Sequence, residues 1–326
     1  MGHEVRGDRG GRIGGTIGGR LAEAGREVVL VARGAHLAAL QESGLRLDDP
    51  ERSRTLRLPA VGDVGDVGWR ADDIALLCTK TQDTEALLDA LHAAAPDVPV
   101  VCAQNGVANE RFAAARFAEV QAMCVMLPAE HLTPGRVVAY SAPVPGGLDV
   151  GRYPHGVDEL SGQIAADLTA AGFSALADPA VMRAKYRKLL LNLANAAEAA
   201  CGPASPRLAE LTAAAREEGE RCLAAAGIAV LSVEQERARR DGLITERPVA
   251  GESRGGGSTW QSLRRATGSV EAAHLNGEII ELGRRHGVPT PVNSLLLATV
   301  IRMAEGAEQP GSRDAGQLLA STGRSI

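Results

Sequence analysis

The first 180 residues alternate short, mostly apolar runs with segments of helical periodicity. The apolar runs lie at 28–32, 74–78, 98–103 and 120–127, and helical patterns such as 84–95 separate them. Continuous apolar runs of this length are typical of strands buried on both faces of a parallel sheet that helices cover. At 130–152 the pattern changes to short alternating segments rich in glycine and proline, which predicts an antiparallel hairpin appended to that sheet.

Beyond about residue 180 the strand signals almost vanish. Helical periodicity continues over 182–200, 205–226, 233–240, 258–286 and 291–305. The sequence therefore predicts an α/β domain over residues 1–180 and an all-α domain over residues 181–326.

Composition and charge exclude several classes of protein. A net charge of −5 argues against nucleic-acid binding, and no stretch approaches the roughly 20 apolar residues of a membrane span. The seven histidines are scattered, so we expect no metal site. The N-terminus lacks the apolar run of a signal peptide, and the five cysteines show no CxxC spacing, which favours reduced thiols in a cytoplasmic protein.

A glycine-rich segment, RGGRIGGTIGGRL at 9–21, lies just ahead of the first apolar run. Gly11 and Gly14 occupy the second and third places of a GxGxxG pattern, which lets a backbone approach a pyrophosphate at a helix N-terminus, whereas Arg9 stands in the first place. The strand that should precede this loop is atypical, because Val5 is its one strong strand former. The segment predicts a dinucleotide loop in a Rossmann-type domain, and a plain glycine-rich connection is the alternative.

Arg33 directly follows the first apolar run. Rossmann domains that bind NAD carry an Asp or Glu at this point, whereas an arginine accommodates the 2′-phosphate of NADP. The position therefore indicates NADP, unless Arg33 is simply solvated.

Lysine is scarce, since only Lys80, Lys185 and Lys188 are lysines among 35 basic residues. A chain that uses arginine almost everywhere retains lysine where a compact, titratable ammonium is needed. Each of the three lysines is therefore a candidate for a chemical task.

Five segments in order resemble the ketopantoate reductase (2-dehydropantoate 2-reductase) family. They are GGRIGGTIGGRLAEAGREVVLVARGAHL, LLCTKTQDT, CAQNGV, KYRKLLLNLAN and STWQSL…VEAAHLNGEIIELGRRHGVPTPVN. The resemblance covers about residues 11–302. It implies an NADPH-binding Rossmann-type domain, an all-α C-terminal domain for substrate and catalysis, and reduction of a small 2-keto acid. Ketopantoate would be reduced to pantoate on the route to pantothenate and coenzyme A, and a homodimer is left open.

The resemblance gives two of the lysines a role. Lys80 matches the lysine beside cofactor and substrate, and Lys188 matches the proton donor. An ammonium can polarise a carbonyl and protonate the developing alkoxide. Asn192 and Asn195 lie four and seven residues after Lys188, on one helix stripe, where amides can bind substrate oxygens. Lys185 has no chemical task and is expected to pack or to face solvent.

Three further residues are candidates for the site. Asn105 follows the apolar run 98–103, where ligands of open α/β sheets bind, so it is predicted to contact cofactor ribose or substrate; an Asn-Gly turn is the alternative. Ser258 opens a helical pattern and is predicted either to bind substrate or to cap the helix. The resemblance implies that Glu271 contacts the cofactor or the substrate hydroxyl.

The chain departs from the family pattern at several points. Ala196 stands where the second asparagine is expected, eight residues after Lys188, and the loop 201–206 contains no asparagine. Between Ser258 and Glu271 there is one residue more than the pattern has. These departures leave open a reductase of another 2-keto acid. Arg9 and the atypical first strand leave open a degenerate, non-catalytic member with impaired cofactor binding.

Overall fold

The computed structural model describes residues 5–8, 11–254, 259–260, 263 and 271–323. The chain divides into two compact units, Met1–Lys185 with Ser232–Arg254, and Tyr186–Leu231 with Gly255–Ile326. The segment Ser232–Arg254, which follows 181–231 in the region predicted as helical, thus belongs to the first unit. Arg239 pairs with Asp149, and the Arg247 N–H donates to the Tyr140 carbonyl at 2.7 Å. Local periodicity carries no sign of such long-range contacts.

The main sheet of the first unit has seven strands in the order β11-β8-β7-β6-β1-β2-β5. The strands of both sheets are β1 (Val5–Asp8), β2 (Val28–Val31), β3 (Leu45–Asp48), β4 (Ser53–Leu56), β5 (Ala60–Val61), β6 (Ile74–Leu77), β7 (Val100–Cys102), β8 (Val120–Met126), β9 (Ala129–Thr133), β10 (Arg136–Ala139) and β11 (Gly147–Arg152). All neighbours in the main sheet are parallel except β11, which runs antiparallel to β8. Without β11 this is the Rossmann strand order, so the predicted α/β class is confirmed.

The atypical first strand takes its expected central place. Val5 is in register with Val28 on β2 and with Ile74 on β6. Strand propensity is weak compared with pairing and packing, and parallel neighbours on both sides provide the pairing that the local sequence does not favour.

The second sheet, of order β4-β3-β10-β9, corrects one expectation. The hairpin within 130–152 is present as β9 and β10, but β10 pairs with β3 in this sheet and not with the main one. Among the residues that the structure describes, β11 alone adds an antiparallel strand to the main sheet. The strands β3 and β4 escape prediction because they are four residues long and carry charged side chains.

Helices cover both faces of the main sheet. The helices of the first unit are α1 (Arg12–Glu23), α2 (Gly34–Ser43), α3 (Thr84–Ala94), α4 (Asn109–Ala114), α5 (Glu159–Ala170) and α9 (Val233–Arg240). Ile17 of α1 and Leu168 of α5 are buried in one apolar cluster, and Leu88 of α3 is buried in another. A Cβ at Gly18 would lie 3.1 Å from Leu30 Cδ2, so this glycine lets α1 pack closely on β2.

The described part of the second unit is helical. Its helices are α7 (Ala194–Cys201), α8 (Leu208–Ala225), α10 (Ala272–His286), α11 (Pro291–Ala304) and α12 (Ala315–Ser321), together with most of α6 (Val181–Asn192), which begins in the first unit. The buried Glu218 carboxylate accepts the Val292 and Asn293 N–H groups at 2.9 and 3.0 Å, which fixes the start of α11 on α8. Within the described ranges, none of the helices has the length and apolar character needed to cross a bilayer.

Candidate active site

Four predicted site residues follow four neighbouring strands of the main sheet. Asn105, Lys80, Gly11 and Arg33 come after β7, β6, β1 and β2, which are adjacent in that order. The order of connection reverses between β1 and β6, and open α/β sheets bind their ligands beyond the carboxyl ends of the strands at such a point. The structure therefore brings these four residues to one edge of the first unit.

The N-terminus of α1 lies at this edge. Gly11 precedes it in an extended conformation, with φ −65° and ψ −171°, and no side chain caps the helix. The first turn carries no acidic residue, and the first N–H groups of a helix lack intrahelical acceptors, so the end is suited to an anion. Gly14 is buried inside the helix, and Arg9 lies outside the described residues. These features fit the pyrophosphate of a dinucleotide.

Arg33 is the residue before α2, at the end of β2. Its side chain is 53% exposed, and the Asp63 carboxylate pairs with it at a distance of 3.8 Å. A half-exposed guanidinium in a loose ion pair can turn to a phosphate, so the position fits the 2′-phosphate of NADP.

A buried polar network ties the loops after β6 and β7 together. Gln104 Nε2 donates to Thr79 Oγ1 at 3.1 Å and to Thr84 Oγ1 at 2.7 Å. Thr84 Oγ1 donates to Asn109 Oδ1 at 2.9 Å, and Asn109 Nδ2 donates to the Asn105 carbonyl at 3.0 Å. Every link is made by neutral groups, so the network fixes the loop backbone without adding charge.

The backbone of Asn105 is held in place, whereas its side chain is available to bind a ligand. Its carbonyl is held by Asn109, and Gly106 follows with φ +79°, a left-handed conformation that favours glycine. In the described part of the chain the Asn105 side-chain amide has no hydrogen-bond partner. The Asn-Gly turn and the predicted ligand contact are therefore compatible.

Lys185, to which the sequence assigns no chemical task, does not face solvent. Its ammonium lies 2.6 Å from Glu110 Oε1, and the side chains of this pair are 2% and 0% exposed. The same ammonium donates to the Gln104 carbonyl at 2.9 Å and the Met123 carbonyl at 3.2 Å. The scarcity of lysine is the signal that could have identified this residue.

Helix α6 carries the predicted acid. Lys188 and Asn192, four residues apart, lie on one face of it and are half-buried. Asn192 Nδ2 is buried and has no acceptor among the described residues. A buried donor without a partner costs free energy, which a ligand oxygen would recover.

Two other predicted residues of the second unit, Asn195 and Glu271, belong to helices other than α6. Asn195 is half-buried on α7, and Glu271 is half-buried at the N-cap of α10, which its side chain does not cap. Ala196, the residue that replaces the expected asparagine, is 1% exposed. Ser258 lies outside the described residues. Within the described ranges no three His, Cys, Asp or Glu side chains are grouped as a metal site would need.

The sheet order and the residues at its carboxyl edge define the class of dinucleotide-binding proteins. The family model described as Ketopantoate reductase PanE/ApbA matches residues 10–155, and the model of its C-terminal domain matches residues 180–304. The chain therefore belongs to the ketopantoate reductase family, NAD(P)-dependent oxidoreductases that act on a keto group.

Individual relatives agree with this assignment. The 2-dehydropantoate 2-reductase of Halobacterium salinarum is 29% identical over 309 residues, which cover 90% of this chain and 96% of the relative. The crystal structure of a PanE/ApbA family ketopantoate reductase from Ralstonia eutropha is 30% identical, has a TM-score of 0.77, and covers 93% of this chain and 99% of its own. D-mandelate dehydrogenase, solved with NADH and anilino(oxo)acetate, has a TM-score of 0.79 with the same coverage, and at 21% identity it shows a likeness of fold only.

Proposed function

We propose that this chain catalyses the NADPH-dependent reduction of 2-dehydropantoate to pantoate, on the route to pantothenate and coenzyme A. The observation that carries the proposal is the pair of donors on α6. The Lys188 ammonium and the buried Asn192 amide, which lacks an acceptor among the described residues, are one helical turn apart. Such a pair suits the adjacent keto and carboxylate oxygens of a 2-keto acid.

In this reaction bound NADPH supplies the hydride that C2 of the keto acid receives. Lys188 polarises the C2 carbonyl and donates a proton to its oxygen as the alkoxide develops, which leaves neutral lysine and the alcohol. Asn192 donates to a substrate oxygen, and Asn105, Asn195 and Ser258 complete the substrate contacts. Lys188 is the one residue to which we assign catalysis.

The first unit is proposed to bind the cofactor and the second to supply the substrate site and the acid. Gly11 and Gly14 allow the pyrophosphate to approach α1, and Arg33 binds the 2′-phosphate. Lys80 and Asn105 lie further along the same edge of the sheet. Glu271 is proposed as the cofactor contact from the second unit.

A cytoplasmic location is proposed for the reaction. The five cysteines are not in disulfides, and four of them are buried. Reduced thiols are typical of the cytosol.

The test is turnover of NADPH by the purified chain with a panel of 2-keto acids. The panel contains 2-dehydropantoate, 2-oxoisovalerate, which lacks the hydroxymethyl group, and benzoylformate, the keto form of mandelate. We expect kcat/KM to be highest with 2-dehydropantoate and higher with NADPH than with NADH. If the chain reduced none of these acids and bound no dinucleotide, the result would favour a degenerate, non-catalytic member of the family.

A second candidate is the reduction of another 2-keto acid by the same residues. The observation that favours it is Ala196, a buried methyl group in place of the expected amide, which removes one hydrogen-bonding group from the substrate side. A site that lacks such a group loses discrimination in favour of a hydroxylated substrate. Preference for 2-oxoisovalerate or benzoylformate over 2-dehydropantoate would decide for this candidate.

A further inference from the structure

Lys185 and Glu110 form a fully buried ion pair that the proposed reaction does not use. Both side chains lie inside the first unit, with 2.6 Å between Nζ and Oε1. Removing two charges from water is costly, and apolar side chains of similar volume often stabilise a protein as well as a buried ion pair does. Stability alone therefore gives little reason for this pair, which suggests that its role is to hold neighbouring segments in place.

The ammonium joins four segments at the carboxyl edge of the sheet. It donates to the Gln104 carbonyl, directly before Asn105, and to the Met123 carbonyl on β8, and lies 3.5 Å from the Cys102 carbonyl at the end of β7. Its carboxylate partner stands in the first turn of α4. Lys185 thus holds both ends of the loop 103–109 that presents Asn105.

The pair also fixes the start of α6. Lys185 lies in the first turns of that helix, and Lys188 follows three residues later in the same helix. A shift of the ammonium would turn or translate the helix that carries the proposed acid. Positioning errors of about 1 Å can cost a reaction about a hundredfold in rate.

The donor geometry accounts for lysine at this position. The Cys102, Gln104 and Met123 carbonyls accept from the three N–H bonds of one ammonium at 3.5, 2.9 and 3.2 Å, and the Glu110 carboxylate lies beside it as the counter-charge. A guanidinium is planar, larger and carries five donors, so it cannot replace the ammonium in a site that is 3% exposed. Although almost every other basic residue of this chain is an arginine, this site requires a lysine.

We propose that Lys185 and Glu110 are a positioning pair, which sets the backbone of the loop 103–109 for cofactor binding and the start of α6 for proton donation. This inference rests on the proposed function. Neither residue touches the reacting atoms, so both act through Asn105 and Lys188.

The test compares a single and a double variant. Lys185→Met leaves a buried carboxylate without its cation and should strongly lower the midpoint of thermal unfolding. The double variant Lys185→Met with Glu110→Gln removes both charges and should recover most of that midpoint. A pair with a purely structural role would then also recover function.

We expect function to stay impaired in the double variant. Backbone amides of 103–109 should exchange with deuterium at least about tenfold faster in the chain without ligand. The Kd for NADPH, followed by its fluorescence, should rise about tenfold, and kcat with 2-dehydropantoate should fall by about ten- to a hundredfold.

A control with the same N–O distance of 2.6 Å, although less buried, is the ion pair Arg26–Asp167, which joins the residues between α1 and β2 to α5 in the same unit. Arg26→Met with Asp167→Asn should change stability without changing amide exchange in 103–109 or the Kd for NADPH.

Two results would be decisive. If the double variant at Lys185 and Glu110 recovers its stability and also keeps the wild-type exchange, Kd and kcat, the inference is overturned and the proposed function stays intact. A wild-type chain that binds neither dinucleotide overturns the proposed function, and the positioning role with it.

If the double variant does not fold, a comparison of two single variants of Glu110 tests the positioning role instead. Glu110→Gln keeps the side-chain volume and a polar oxygen beside the Lys185 ammonium, and we expect its Kd for NADPH to stay within about threefold of the wild type. Glu110→Ala removes the whole polar group from this position, and we expect a rise of about tenfold. Equal Kd values for the two variants would overturn the inference.

Discussion

Arg33→Ala tests the proposed choice of cofactor. Hydrogen bonds between charged groups contribute about 1.5–3 kcal/mol each. The Arg33 side chain is 53% exposed and pairs with Asp63 at 3.8 Å. Solvent screening and the loss of this partner place the gain from a 2′-phosphate near the lower end, at about 1.5 kcal/mol, which corresponds to about tenfold in affinity.

The assay is a fluorescence titration of the wild type and Arg33→Ala with NADPH and with NADH. We expect the Kd for NADPH to rise about tenfold and the Kd for NADH to change less than about twofold, because NADH has no 2′-phosphate for Arg33 to bind. Arg46 on β3 of the second sheet is a matched control, since its side chain is 54% exposed. Arg46→Ala should change neither value. Equal losses for both cofactors in Arg33→Ala would mean that Arg33 is a solvated arginine.

Three further predictions concern thiol chemistry, acid stability and the helical unit. Cys78 is half-buried and the other four cysteines are buried, so a thiol reagent should modify Cys78 first, and NADPH should slow the reaction if it binds beside Lys80; mass spectrometry would reveal a different order. Burial raises the pKa of Asp49, but hydrogen bonds from the 51–52 backbone and from Arg54 outweigh it, so the pKa lies below its ordinary value. The stabilisation that ionised Asp49 provides is therefore complete above about pH 4 and is lost as the pH falls further. Asp49→Asn should weaken the pH dependence of the free energy of unfolding, which urea unfolding curves measure. Glu218→Ala leaves the buried N–H groups at the start of α11 without an acceptor and should lower the free energy of unfolding by about 2–4 kcal/mol, whereas an unchanged Tm would show that water replaces the carboxylate.

The sequence predicts those parts of the fold that depend on local patterns. Each of the four apolar runs is a strand, β2, β6, β7 or β8, and the periodic segment 84–95 is α3. A short apolar run between two helical patterns is typical of a strand that is buried on both faces. Asn105 and Arg33 are predicted from the same pattern, since ligand sites lie at the carboxyl ends of parallel strands, whereas the role of Lys80 comes from the family resemblance.

Features that depend on distant contacts were not predicted. The strands β3 and β4 are short and charged, and β10 joins them only through the folded chain. Ser232–Arg254 belongs to the first unit through contacts such as Arg239 with Asp149. The pair of Lys185 and Glu110 joins residues far apart in sequence, so its two members have no local relation that a pattern could reveal.

Steady-state kinetics of Lys188 variants test the proposed mechanism most directly. Lys188→Ala should lower kcat with 2-dehydropantoate by about 10²–10⁴-fold, the usual contribution of general acid catalysis, while the Kd for NADPH stays close to the wild-type value. Lys188→Arg should fail similarly, because a guanidinium keeps its proton at neutral pH. If Lys188→Arg retained the wild-type kcat, charge rather than proton donation would be what this position requires, and the assignment of Lys188 as the acid would be wrong.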